Sequence, residues 1–135
     1  ELSNRVVAAA LPICGVLFAG WRVMPAPADP AGAATHALQV LREMRGGAHL
    51  SAIQAAGLTP QQAVISFVAD PVRGGSAGAE RFGWKAPHPE PDEEARAQAE
   101  VGTTNVCRHA FEALPDGERG ELIELVLAAR SAIGD

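Results

Sequence analysis

A chain of 135 residues is the usual size of one domain and is long enough to bury a core. Apolar residues make up 47% of it but aromatics only 4%, with no tyrosine; alanine, leucine and valine must then fill the interior, which favours closely spaced helices over β-sandwich layers. The formal net charge of -5 repels polyanions, so nucleic-acid binding is disfavoured unless a local basic patch provides for it.

Cys14 and Cys107 lie far apart, and neither has a second cysteine or a histidine at metal-ligand spacing. They read as free thiols of a reducing cytoplasm, with no metal or cofactor expected. The chain opens at Glu1 without an initiator methionine, inside what reads as a helix. A C-terminal part of a longer protein is the expectation. Val6 to Trp21 carries no charge, but it is shorter than the roughly 20 apolar residues of a spanning helix and is interrupted by Pro12, Gly15 and Gly20. It is expected to be buried core, not a membrane span or a secretory signal.

The predicted elements begin with a short helix capped by Ser3 and stopped near Leu11 by Pro12. Ile13 to Val23 fits strand or helix equally, and Met24 to Ala28 is a proline-stiffened loop. Asp29 before Pro30 is an N-cap ahead of a proline at the first helical position, and Gly46-Gly47 reads as a C-terminal stop, so a helix is predicted over 30–45. Its core stripe is expected at Ala34, Ala37, Leu38, Leu41 and Met44. A second helix from Ala48 to Ala56 ends at Gly57, and Thr59 caps a third from Pro60 to about Ala69; the Gly57-Leu58-Thr59 corner between them has helix-turn-helix geometry. Val72 to Pro91, rich in glycine and proline, is predicted as a long loop with a wing-like turn near Phe82 and Trp84. Asp92, Glu93 and Glu94 open a long helix to about Ala113. Pro115 and Asp116 start the last one, with Leu122, Val126, Ala129 and Ile133 on one apolar stripe beside Ile123 and Leu127. The expected fold is all-α: a single helix-turn-helix-like domain over residues 1–135, with a Gly/Pro-rich loop or small wing and two C-terminal helices.

Gly74 to Gly78 spells G-x-S-x-G, but a nucleophile elbow needs a strand, a helix and a larger sheet around the serine, so the run reads as a mobile loop and no catalytic residue is assigned. His36 and His49 frame the 30–45 helix and the corner after it. With Arg45 they could line a polar ligand pocket, or they could serve only as helix-bridging hydrogen bonders. Trp21, with a large apolar face and one polar handle, is either a cavity wall or a packing anchor. For DNA, Gln61 and Gln62 could read an adenine, and Arg73, Arg81 and Lys85 could meet phosphates; yet no lysine or arginine stands between Arg45 and Arg73, so the corner itself has little phosphate-binding charge.

Four stretches taken together, Phe18-Ala19-Gly20-Trp21, Pro27-Ala28-Asp29-Pro30, Leu41 to Leu50 (LREMRGGAHL) and Ala55-Ala56-Gly57-Leu58, resemble a family of actinobacterial helix-turn-helix proteins with an L-R-E-H-R-G-D-G-H type motif. His36, Arg42, Arg45 and His49 match that pattern, while Met44 and Gly47 replace its histidine and aspartate. The resemblance implies a fold more than an activity. The first functional reading is a non-catalytic module binding a small molecule or protein partner through His36, Arg45, His49 and Trp21. The alternative is a DNA-binding regulator using Gln61, Gln62, Arg73, Arg81 and Lys85, and a third is part of an enzyme completed by an N-terminal region. The surplus of apolar residues on the last helix predicts a homodimer or association with such a region.

Overall fold

The computed structural model describes residues 1–11, 14–67 and 72–133, the side chain of Ile133 excepted. Among these residues there are seven helices and no strand: α1 (Leu2–Ala9), α2 (Val16–Val23), α3 (Pro30–Ala55), α4 (Pro60–Ile65), α5 (Gly75–Arg81), α6 (Glu93–Phe111) and α7 (Asp116–Ile133). The chain forms two compact units. One comprises Glu1–Gly47 with Val106–Asp135, the other Ala48–Asn105. The Pro12 stop, the ambiguous Ile13 and the expected helix end at Ala69 lie outside the described residues.

In the first unit Val6, Cys14, Phe18, Ala37, Val40, Met44, Cys107, Ala110, Leu114 and Leu122 are buried. Each of the larger ones, Phe18, Met44 and Leu114, contributes about 1.5–3 kcal/mol by leaving water. Arginines close the helix ends. Arg22 of α2 donates to the carbonyls of Ala10 (3.0 Å) and Ala8 (3.3 Å), satisfying the C-terminal end of α1, and its guanidinium lies 5.7 Å from the Phe18 ring centroid. Arg5 of α1 donates to the Ala113 carbonyl at 3.2 Å and pairs with Glu118 at 2.5 Å, tying α1 to α7. The predicted Ser3 cap is not used: α1 starts at Leu2, with Glu1 at the cap position and no side-chain cap bond.

The Asp29 cap forms as predicted, accepting from Gly32 N at 2.7 Å through its carboxylate. Gly46-Gly47 does not end the helix. α3 runs unbroken for 26 residues, because a glycine stop requires a left-handed residue and neither of these has positive φ. That residue is Gly57 (φ 77). There Gly57 N donates to Gln54 O at 3.0 Å and Leu58 N to Ile53 O at 3.1 Å, a Schellman ending. Gly47 has another reason to be glycine, since a Cβ there would overlap the carbonyl of Cys14. This contact fixes which face of α3 points inward. The buried line is Ala37, Val40 and Met44, continuing to Gly47, whereas Ala34 is exposed and Leu38 and Leu41 are half-buried.

In the second unit Ile53, Leu58, Ala63 and Ala99 form the core, with Ala52, Ala56 and Ala95 against it. Thr59 starts α4 through a full capping box with Gln62. Ser66, buried just after α4, accepts from Asp92 N at 2.7 Å, and Asp92 caps α6 by accepting from Ala95 N at 2.9 Å. The long loop predicted from Val72 to Pro91 contains α5. Its glycines do not break the helix, because Gly78 is a packing site: a Cβ on it would overlap the Arg73 carbonyl and press on Val64 of α4, and α4 packs directly on α5. In α7 the expected apolar stripe is mostly exposed, with Leu122 alone of it buried, Ala129 half-buried and Val126 38% accessible; the Ile133 side chain lies outside the described residues.

The two adjacent glycines of α3 give a direct check. Gly46 has open space around its missing Cβ, so Gly46→Ala is expected to stabilise by about 0.5–1 kcal/mol through helix propensity. Gly47→Ala, one position on, is expected to lose about 1–3 kcal/mol by overpacking against Cys14. Urea denaturation of both variants should show opposite shifts of the midpoint.

Candidate functional site

Trp21, His36 and Arg45 belong to the first unit and His49 to the second. Trp21 and His36 are brought together, with ring centroids 5.9 Å apart at 54°, both half-buried. Arg45 is exposed on α3, near enough to Cys107 for its charge to act on that thiol.

His49 is the hub of a polar cluster in the second unit. Arg96 Nη1 lies 2.6 Å from His49 Nε2, Thr103 Oγ1 lies 2.9 Å from His49 Nδ1, and Arg96 Nη2 donates to Glu100 at 2.7 Å. A guanidinium only donates, so Nε2 must accept from it. Nδ1 then carries the hydrogen and donates to Thr103 Oγ1, whose own proton goes to the Ala99 carbonyl at 2.7 Å. The bond accepted from Arg96 is the one that requires a neutral imidazole. The Arg96 side chain is only 13% exposed and stacks over Phe67 at 5.1 Å, so its charge depends on these partners. Arg96, Glu100 and Thr103 recur on one face of α6 at spacings of four and three. That spacing is visible in the sequence, but nothing in it points to His49.

The glutamines assigned to base reading are both engaged. Gln61 Nε2 donates to His88 Nδ1 at 3.2 Å, and Gln62 Oε1 accepts from Thr59 N at 3.2 Å within the capping box. The cations are arranged differently: Arg73 immediately before α5, Arg81 in its last turn and Lys85 in the turn after it are all exposed. Between the last two stand Phe82, 67% exposed, and Trp84, with ring centroids 5.3 Å apart. Of the exposed residues of α5, Ser76 and Ala77 are small, and Glu80 sets a carboxylate beside Arg81. The G-x-S-x-G run is thus the start of a helix with an exposed Ser76, and not the mobile loop expected from its composition.

The model of a family described as a helix-turn-helix family matches residues 1–91 of the chain. The chain belongs to this helix-turn-helix family. Comparison with curated proteins and with solved structures finds no match. The helix-turn-helix match takes in α1 to α5 and the turn carrying Lys85, and stops just before α6.

The first unit of the helix-turn-helix chain has an open groove of about 750 Å³ along the N-terminal half of α3, with α1 and α7 as its walls. Ala33, Ala37, Leu38, Leu122 and Val126 give it an apolar floor, and Glu1 and Glu121 stand on its rim. Among the described residues no group of three or more His, Cys, Asp or Glu could hold a metal ion, and no helix is long and apolar enough to cross a membrane.

Both thiols are buried. Burial pushes Cys14 and Cys107 above the ordinary value of 9.0; at Cys107 the neighbouring Cys14 adds to the rise and Arg45 opposes it. The folded state therefore holds these protons more tightly than the unfolded chain does. The resulting stability is fully present below pH 9.0 and is lost as pH rises beyond it. At pH 8 the native thiols should react with an aromatic disulfide reagent more than about tenfold slower than in denaturant, as expected of protonated, inaccessible sulfur. Replacing both by serine should flatten the alkaline part of the stability profile.

His49→Ala is expected to destabilise by about 2 kcal/mol, because it strips a buried guanidinium of its acceptor. His36→Ala, at a half-buried ring contact, should lose less than about 1 kcal/mol. Equal losses in urea titrations would contradict the role given to His49.

Proposed function

We propose that the chain is a DNA-binding helix-turn-helix module whose reading helix is α5, with the following turn lying against the phosphate backbone. The observation that carries this reading is the placement of Arg73, Arg81 and Lys85, all exposed, at the two ends of α5 and in the turn after it. The packed pair α4–α5 supports it, as does family membership. Gln61 and Gln62 have no part in it, because their side chains hold the α4 corner together. Gly75, Ser76 and Ala77 leave the α5 backbone close to whatever it meets, and Phe82 with Trp84 offers an apolar surface between two cations.

With the whole chain carrying -5, attraction is confined to this patch. Three phosphate contacts give a slope of about -3 for the logarithm of affinity against the logarithm of salt. Titration of random duplex DNA should show that slope, Arg81→Ala should reduce it by about 1, and Gln61→Ala should leave it unchanged. Salt-independent binding, or none at about 50 mM salt, overturns the reading. That outcome would leave the second one, a non-catalytic module taking a small molecule or protein partner in the groove along α3, with the Trp21–His36 pair in the same unit.

A further inference from the structure

The groove of the first unit has an asymmetric wall along α7. The side of that helix lining it carries Glu118 and Glu121, then Leu122, Leu125, Val126 and Ala129, a stripe at spacings of three and four. From Glu121 to Ala129 the stripe covers about 12 Å of helix axis. One end of the wall is therefore acidic and the rest apolar. Ala33, Ala34, Ala37 and Leu38 of α3 extend the apolar surface.

The charges of the lining decide what such a surface can take. Arg5 is its one cation among the described residues, and it is already engaged: it pairs with Glu118 at 2.5 Å and donates to the Ala113 carbonyl at 3.2 Å. Glu1 stands at the start of α1, where the free amides and the helix dipole favour a carboxylate. Glu121 has no such explanation. It lies beyond the acidic first turn of α7, it is exposed, and its side chain makes no ion pair or hydrogen bond among the described residues. An anionic head group would meet this carboxylate with no free cation to offset it, and a neutral one would leave it unmatched. A cation is its electrostatic complement.

The size selects a small molecule over a polypeptide. A volume of about 750 Å³ falls inside the range of small-ligand sites, roughly 300–1,000 Å³. A helix from a partner protein, about 10–12 Å across, would need about 1,000 Å³ or more over the same length of wall.

We infer that the groove binds a small amphiphilic cation, an ammonium head on an apolar body about 10–12 Å long, with Glu121 meeting the head and Leu38, Leu122, Leu125 and Val126 lying against the body. This gives a ligand class to the second reading of the groove. It stands apart from DNA binding by α5, and either can fail without the other.

The test is isothermal titration of the chain with octylammonium, octanol and octanoate, which share one alkyl chain and differ in charge, each below its aggregation concentration. Octylammonium should bind about threefold or more tighter than octanol, as one partly exposed ion pair allows, and octanoate weakest of the three. Glu121→Lys, at an exposed side chain that the fold does not use, should reverse the order of octylammonium and octanoate and leave octanol unchanged. Ala34→Phe, at an exposed position of the lining, should fill the groove and weaken all three by at least about tenfold. Unchanged helical circular dichroism shows that each variant is folded. The inference is overturned if none of the three binds, if octanoate binds as tightly as octylammonium, or if the preference survives Glu121→Lys. Binding that survives Ala34→Phe also overturns it, because the site would then lie elsewhere, such as at the exposed Val16 and Leu17 of α2. A salt-dependent duplex titration of the same chain would leave the α5 reading standing in each of those cases.

Discussion

Close backbone approach is the constraint on which this structure rests. With few aromatics and an interior built largely from alanine, each buried residue removes little surface from water, so the helices recover stability by coming near enough for backbone to touch backbone. At Gly47 of α3, against the carbonyl of Cys14, and at Gly78 of α5, against that of Arg73, a Cβ would overlap backbone. The first sets the inward face of α3, and hence the line Ala37, Val40 and Met44 on which the first unit is packed. At the second, the Val64 side chain of α4 also lies against the glycine, and α4 packs on α5, whose ends carry the exposed cations.

Polar groups in such a core must be matched individually, and arginine does much of the matching. Arg22 closes α1, Arg5 and Arg119 close the end of α6 and the turn after it, and Arg96 is held among His49, Glu100, Phe67 and the helix that carries it. Each is taken from the pool of eleven basic residues in a chain of net charge -5. The exposed cations of the second unit, Arg73, Arg81 and Lys85, stand around α5. The glutamines of the Gly57 corner are held in capping and in the contact with His88.

The histidines show how residues alike in a sequence part company in a fold. His36 meets a tryptophan ring and remains half-buried. His49, thirteen positions further along the same helix, falls in the other unit and is locked into one tautomer by an arginine and a threonine from α6. Their sequence neighbourhood, with Arg42, Glu43 and Arg45 between them, suggests one shared pocket; in the fold His36 meets Trp21, and His49 meets Arg96 and Thr103.

What the sequence determined by itself was local: the all-helical class from its alanine-rich, aromatic-poor composition, the Asp29 and Thr59 caps, the acidic start of α6, the Gly57 ending, and the surplus of apolar residues on α7. These follow from interactions within a few residues, where a side chain meets its own backbone. Only the tertiary structure decided that Gly46-Gly47 continues a helix, that the glycine run at 74–78 starts one, and that His49 is paired with Arg96. A glycine reads the same whether it ends a helix or admits a neighbouring backbone, and the difference lies in a segment far along the chain that the local pattern cannot contain.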